Sequence, residues 1–406
     1  MNTAATSPLS LDWSMRSLAE NDPFPAYDLL RTRGDIVWDP GLECWLILNY
    51  ELCRVVESDE KLYRSHEKNA PPLNYEIRGG STSVTALVDE EHARLRPLYL
   101  RVFSPAAMTQ CRTEHALPVI NDAIDRFEKR GSAELIAEFA DAIPPRIMAS
   151  MFGLPWKDDE LIDKIAECHR NVVAWAYNKT DEAKIQQAKK SSAELNSIFL
   201  PLVVQRRKER GSDLISQLWT QAPGYWDNVG VNDIISLVRD MAIGAGETTT
   251  NAIANAVYLY LSNPSVHEAL AKDQEGALNA LVEETLRLFG AIQFRFRIAS
   301  NDTSLGGVNI KKGEQVCMLH AAANRDPEHY PCPHMVDLTR KRPTDHIAFN
   351  VGPRICPGMH LARLKMRESL KVLIARLPDV RLDTGREAPR FRGFSHRSFG
   401  PLHVVF

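Results

Sequence analysis

An apolar-rich run from Asp233 to Leu261 limits the fold more than any other feature of this chain. Wound as one helix, it extends ~40 Å at about 1.5 Å per residue. A helix of that length belongs across the core of a large domain, not along one face of a small one. Yet its middle reads Gly244-Ala245-Gly246-Glu247-Thr248-Thr249-Thr250. Glycine weakens a helix and a carboxylate resists burial. Weak helix formers and polar groups in the middle of a core helix mark a functional defect in the backbone ladder.

The rest of the chain accommodates such a helix. Its 406 residues, 44% hydrophobic and 25% charged, suit one large globular domain over residues 1–406, with residues 1–20 as an N-terminal extension. A net charge of -3 gives no reason to expect nucleic acid or an anionic membrane as partner. The N-terminus lacks the basic start of a signal peptide, and no apolar stretch has the length of a membrane span. Seven cysteines, at 44, 53, 111, 168, 317, 332 and 356, form no CxxC pair. That spacing argues against disulfides and structural zinc and fits a reducing cytoplasm. No HExxH or tight His/Asp/Glu cluster of a metal hydrolase occurs.

Periodicity predicts a mainly α chain with a minor β portion. Ile36-Val37-Trp38 and Trp45-Leu46-Ile47-Leu48, flanking Asp39-Pro40-Gly41, read as a hairpin. Residues 70–88, with Pro71-Pro72 and Gly79-Gly80, read as an irregular surface loop. Helical spacing is found over 91–102, 114–127, 134–152, 158–177, 181–209 and 276–289, with Pro144-Pro145 kinking or splitting the third of these. Strand-like pieces follow at 292–299, 303–310 and 315–319, with a Gly306-Gly307 turn, and a last long helix runs from Pro357 to about Arg376.

Cys356 ends the stretch Phe349-Asn350-Val351-Gly352-Pro353-Arg354-Ile355-Cys356 and is followed by Pro357-Gly358. Read alone, it is either a small hydrophobe at a helix start or a thiolate stabilised by the helix N-terminus. Gly352 and Gly358 permit close approach of a flat cofactor, Pro357 falls in the first turn of the helix, and Arg354 suits a carboxylate. The stretch resembles the haem-binding loop of the cytochrome P-450 superfamily, F-x-x-G-x-[H/R]-x-C-x-G. Phe349, Gly352, Arg354, Cys356 and Gly358 match. Asn350 stands where a glycine is common. Pro357 has no N–H to offer the sulfur, which predicts a more electron-donating thiolate and a lower iron potential.

Three further segments carry the same resemblance. Glu284 and Arg287 are similar to the family's buried ExxR pair, with Arg340 as its third member, bracing the structure without taking part in chemistry. Gly244 to Thr249 resembles the oxygen-binding segment [A/G]-G-x-[D/E]-T-[T/S], with Ala245 in place of a glycine. In that resemblance Glu247 relays protons and Thr248 donates a hydrogen bond to iron-bound oxygen. His92 and Arg96, four apart on one helix face, match the family's propionate-binding residues, as do Arg297 and Arg354.

The resemblance spans the chain from about residue 20. It implies a cytochrome P-450-like fold with haem b between the central helix and the helix after the cysteine loop, and Cys356 as the axial metal ligand. It implies a monooxygenase that inserts one oxygen atom from O2 into a hydrophobic small molecule. A ferredoxin-type or flavodoxin-type protein supplies electrons, docking near Arg363, Lys365, Arg367 and Lys371. A soluble bacterial, monomeric enzyme is expected, with no nucleic acid or membrane partner. By family position Tyr75, Ile243, Gly244, Ile292, Phe294 and Phe394 face substrate, and a terpenoid or similar compact hydrophobe fits this apolar set. Arg78 and Arg295 leave room for an acidic group. The same fold also admits desaturation, epoxidation or oxidative coupling in a biosynthetic pathway, and a haem-binding sensor is the reading outside catalysis.

Overall fold

Proline and glycine set many of the element boundaries. In the computed structural model, which describes residues 14–18, 22–65, 72–85, 87–176 and 180–406, Pro144 and Pro145 open the helix Ile143–Phe152. Their missing N–H groups cost nothing in a first turn. The preceding residues form a short strand, Ser132–Glu134, and a π-turn, Ile136–Ala140, so the expected split of 134–152 takes this form. Gly153, at φ 81°, closes the helix, and the next N–H, of Leu154, reaches back to Ala149 O at 2.8 Å.

The chain forms two compact units. The first contains Met1–Ser65, Glu283–Ile355 and Pro389–Gly400. Its five-stranded sheet runs in the order Ile36–Asp39, Cys44–Ile47, Gln315–Met318, Arg295–Ala299, Tyr63–Arg64. The predicted hairpin is the first antiparallel pair, with Ile36 opposite Ile47. Cys44–Ile47 then pairs in parallel with Gln315–Met318. Ile36, Ile47, Val316 and Met318 pack with Tyr50, Cys53 and Val56 of the helix Tyr50–Ser58 into one core. Gly306 and Gly307, at φ 52° and 80°, make the predicted turn between Thr303–Leu305 and Val308–Ile310.

A buried ion pair braces this unit. Arg287, on the helix Gln274–Phe289, forks onto Glu284 through Nε and Nη2, both at 2.8 Å. The same guanidinium donates to the carbonyls of Asn324, Pro333 and Met335 at 3.0, 2.7 and 3.0 Å. Arg340 Nε adds a bond to Glu284 at 2.9 Å, and so does the Asp337 N–H at 3.1 Å. One carboxylate and one guanidinium thus hold a turn-rich segment that has little regular structure of its own.

The second unit, His66–Val282, Cys356–Ala388 and Pro401–Phe406, is mostly helical. Asp159–Ala176 and Glu182–Lys208 pack against each other; the residues at 177–179 that join them lie outside the described ones. The expected loop at 70–88 instead contains a helix, Pro72–Arg78. Pro72 reads as loop in sequence but occupies a helix start, where proline is welcome. Buried Arg239 donates to Ile77 O at 2.8 Å, and Ser192 Oγ donates to Glu76 O at 2.7 Å, so the end of this helix is capped from outside. The predicted helix 114–127 starts earlier, at Pro105, and passes through a π-turn at Arg112–Ala116. Among the described residues no helix is long and apolar enough to cross a membrane.

Removing one member of a buried, fully bonded ion pair strands the other, a loss of about 3–5 kcal/mol. Glu284→Gln is expected to lower unfolding free energy by that order in urea titration, and a loss below about 1 kcal/mol would show that the brace is dispensable.

Candidate active site

In the first unit, the glycine-bearing loop is fixed one backbone group at a time. Asn324 Oδ1 accepts from Ile347 N at 2.9 Å, and Glu57 Oε2 accepts from Val351 N at 2.8 Å. Glu57 is itself hydrogen-bonded to His320 Nε2, and Glu283 to His346 Nε2 at 3.0 Å. None of these partners is a sequence neighbour of the loop, and no local pattern announces them.

Two residues of the loop take left-handed backbone. Asn350 has φ 58° and Gly352 has φ 68°. Asparagine is among the non-glycine residues that best tolerate this region, which accounts for its presence where a glycine is common. A Cβ on Gly352 would lie 2.9 Å from the Glu57 carbonyl oxygen. Gly352 thus has a role in the loop's own fold, letting it lie against the end of the helix Tyr50–Ser58. The turn Gly352–Arg354 leads to Cys356, and the following helix begins at Met359. Pro357 thus precedes that helix and does not sit in its first turn.

The cysteines differ sharply in setting. None of the seven is in a disulfide; five are buried, Cys332 is exposed and Cys356 is half-buried. Burial pushes the thiols of Cys53 and Cys317 well up and those of Cys111 and Cys168 up to about 11. A ligand thiolate needs access from one side and shelter on the other. Cys356 alone of the seven has that intermediate exposure.

The first unit also holds Arg297, on the strand Arg295–Ala299, with 6% of its surface exposed. Burial lowers its pKa to about 10, and the nearby charges of Arg354 and Arg295 add to the effect while Glu57 opposes it. Its Nη1 donates to Phe296 O at 2.9 Å. Among the described residues no carboxylate lies within ion-pair distance of it. A buried guanidinium without its own anion fits a ligand that brings a carboxylate, as haem does. Arg354, by contrast, pairs with Glu60 at 3.1 Å. Phe294 makes T-shaped contacts with Phe296 and Phe394, at centroid distances of 5.4 and 5.1 Å, and Ile292 bridges to the backbone of His396. Three of the residues expected to face substrate therefore belong to one apolar patch of this unit.

In the second unit the central helix is broken where its sequence is weakest. Val231–Gly244 ends, and Glu247–Ser262 begins after two intervening residues, Ala245 and Gly246. Thr249 N turns to Gly246 O at 3.0 Å, a tight 3₁₀-type bond. Thr248 Oγ1 donates to Gly244 O at 3.0 Å. Burial raises the pKa of Glu247; Arg170 opposes the shift and Asp141 adds to it. Asp141 is raised in the same way and is hydrogen-bonded to Thr250. His92 and Arg96 are both buried on the helix Asp89–Val102. Ile243 packs with Leu73, Trp175 and Ala188, and Tyr75 is half-buried on the helix Pro72–Arg78. The basic face expected on the last long helix is corrected. Lys365 is fully buried, Arg367 is bonded to Glu368 at 2.8 Å, and Lys371 is paired with Glu275.

The chain is similar to known proteins over most of its length. The family described as Cytochrome P450 matches residues 161–378. Cytochrome P450 109 of Bacillus spizizenii is 31% identical over 357 residues, covering 87% of this chain and 84% of that protein. The mycinamicin IV hydroxylase/epoxidase of Micromonospora griseorubida is 30% identical over 350 residues, with 84% of each covered. The structure of myxobacterial cytochrome P450 CYP267B1 in complex with myristic acid superimposes with a TM-score of 0.83 at 28% identity, covering 95% of this chain and 96% of that one.

Left-handed backbone costs a non-glycine residue about 1–2 kcal/mol. Asn350→Gly is expected to leave the thermal midpoint unchanged or raise it, whereas Asn350→Val lowers it. Equal midpoints for the two variants would remove the backbone explanation of Asn350.

Proposed function

The chain belongs to the cytochrome P450 family, and from that premise we propose that it is a haem-thiolate monooxygenase whose axial ligand is Cys356. The observation that carries this reading is the half-buried thiol of Cys356, in a chain where five of the other cysteines are sealed in cores and Cys332 is exposed. His92, Arg96, Arg297 and Arg354 are the proposed partners of the haem carboxylates, Arg297 being the one best prepared for an anion. Bound haem supplies the activation of dioxygen and the transfer of one oxygen atom to substrate.

The protein's part is position and protons. Glu247, with its pKa raised by burial, keeps its proton to higher pH than an exposed carboxyl and can serve as an internal acid. The Arg170 guanidinium stabilises the carboxylate left after transfer. Thr248 Oγ1 gives its proton to Gly244 O at rest, so its lone pairs are available to accept one from the Glu247 side. Phe294, Phe394 and Ile292 offer aromatic and aliphatic surface that would exclude water and orient a hydrophobic substrate.

We further propose that this substrate belongs to a biosynthetic pathway and is oxidised as a tailoring step, by hydroxylation or epoxidation. The mycinamicin IV hydroxylase/epoxidase and the myristic acid complex, both on hydrophobic compounds, support this reading better than the compact terpenoid expected from sequence. Electrons come from a separate ferredoxin-type or flavodoxin-type donor. The docking surface proposed for it excludes Lys365, which is buried.

Turnover under ¹⁸O₂ with a ferredoxin and its reductase tests the proposal against myristic acid and mycinamicin IV. The product is expected to carry one labelled oxygen; an unlabelled, desaturated product would replace tailoring oxygenation by dehydrogenation. The raised pKa of Glu247 also gives a sign: the carboxyl is protonated at low pH and empties as pH rises, so turnover falls on the alkaline side. Glu247→Gln is expected to cut the rate by roughly 10²-fold and to abolish that limb. A variant that keeps the wild-type pH profile would take Glu247 out of proton delivery.

A further inference from the structure

The break in the central helix frees carbonyls that an unbroken helix would satisfy. Ala245 O should accept from Thr249 N, but that N–H is committed to Gly246 O at 3.0 Å. Gly244 O is taken by the Thr248 hydroxyl. Ala245 O is taken by Lys365 Nζ, at 3.3 Å, from the helix Met359–Arg376. Lys365 has no exposed surface at all. A lysine almost never reaches that degree of burial without a compensating partner, and here its single hydrogen-bond partner among the described residues is a carbonyl, with no carboxylate bonded to it.

The surroundings leave it little else to do. Of the elements packed on this helix, Pro105–Cys111 contributes the Cys111 thiol, whose charge would favour the ammonium. The π-turn Arg112–Ala116 contributes Arg112, which bonds Glu368 at 3.0 Å, and Glu368 is also held by Arg367 on its own helix. Neither Leu117–Asp125 nor Glu247–Ser262, the other helices packed here, places a charge that acts on Lys365.

We propose that Lys365 is a positioning residue for oxygen activation, holding the central helix open by occupying the Ala245 carbonyl. Without that donor, Ala245 O recovers Thr249 N, and the 3₁₀-type turn next to Thr248 relaxes to a regular helix. The inference rests on the monooxygenase reading but concerns a backbone conformation that is measurable apart from turnover. Burial lowers the lysine pKa to about 7, so the amine gives up its charge, and part of its strength as a donor, as pH rises through that value.

Lys365→Met keeps the volume and removes the donor. Amide hydrogen exchange of the segment 241–250 is expected to slow several-fold in K365M, because a regular i to i−4 ladder opens less readily than the 3₁₀-type turn it replaces. Product formed per electron consumed is expected to fall several-fold with substrate KM unchanged. The carbon monoxide spectrum of the reduced variant should match wild type, which separates this test from the family reading: loss of the thiolate band in wild type itself would sink that reading instead. If exchange and coupling are both unchanged in K365M, Lys365 does not hold the break. Should the variant fail to fold, exchange is followed in Glu247→Gln protein, which lacks the carboxyl's own titration. There, exchange corrected for intrinsic rate should slow as pH rises through about 7, and a pH-independent rate overturns the proposal.

Discussion

A backbone group released from regular structure inside a protein must find another partner, and that requirement shapes both halves of this molecule. In the helical unit the broken central helix gives up Gly244 O and Ala245 O, which are taken by Thr248 and Lys365. In the sheet-bearing unit the segment leading to the cysteine has almost no regular structure. Its N–H groups go to Asn324 and Glu57, and the carbonyls upstream go to Arg287. Irregular backbone is held in one conformation by side chains from distant parts of the chain. Such anchoring suits the roles proposed for Cys356 and Glu247, which require fixed positions.

The cost of this arrangement is buried charge. Glu284 and Arg287 are paired and multiply bonded, and the buried Glu57 carboxylate is hydrogen-bonded to both His320 and Val351 N, so the desolvation of these carboxylates is offset by geometry. Arg239 is stabilised differently. Its guanidinium donates to Ser192 Oγ, Asn196 Oδ1 and Ile77 O, all neutral, and its pKa drops to about 10 by burial. Lys365 and Arg297 belong to the same class of buried cations with carbonyl partners. Such groups carry more strain than a hydrophobic side chain of equal size, and proteins retain them where position or ligand binding requires it.

Much of this was legible in the sequence. The apolar period placed most of the helices, the Gly306-Gly307 turn placed its hairpin, and the weak residues at Gly244 to Thr250 placed the break. The family resemblance, and not the spacing of the residues, implies that Glu284, Arg287 and Arg340 meet, as they do. What escaped has identifiable physical causes. Glu57 and His320 are 263 positions apart, and no local pattern links them. The helix Pro72–Arg78 was hidden because proline signals a turn as readily as a helix start. Asn350 looked like a departure until its positive φ made it the natural substitute for glycine. Lys365 was placed on the surface by its charge alone. Its position with Leu361, Leu364 and Glu368, all buried at helical spacing, was the available signal that it faces inward.

The central claim is that Cys356 is the thiolate ligand of a haem. The most direct measurement is the absorption spectrum of the reduced, carbon monoxide-bound protein beside that of Cys356→Ser. The account predicts the strongly red-shifted Soret band of a thiolate-ligated haem in the wild-type protein and its loss in the variant. A band of nitrogen-ligated type in the wild-type protein, or the same red-shifted band in Cys356→Ser, would contradict it.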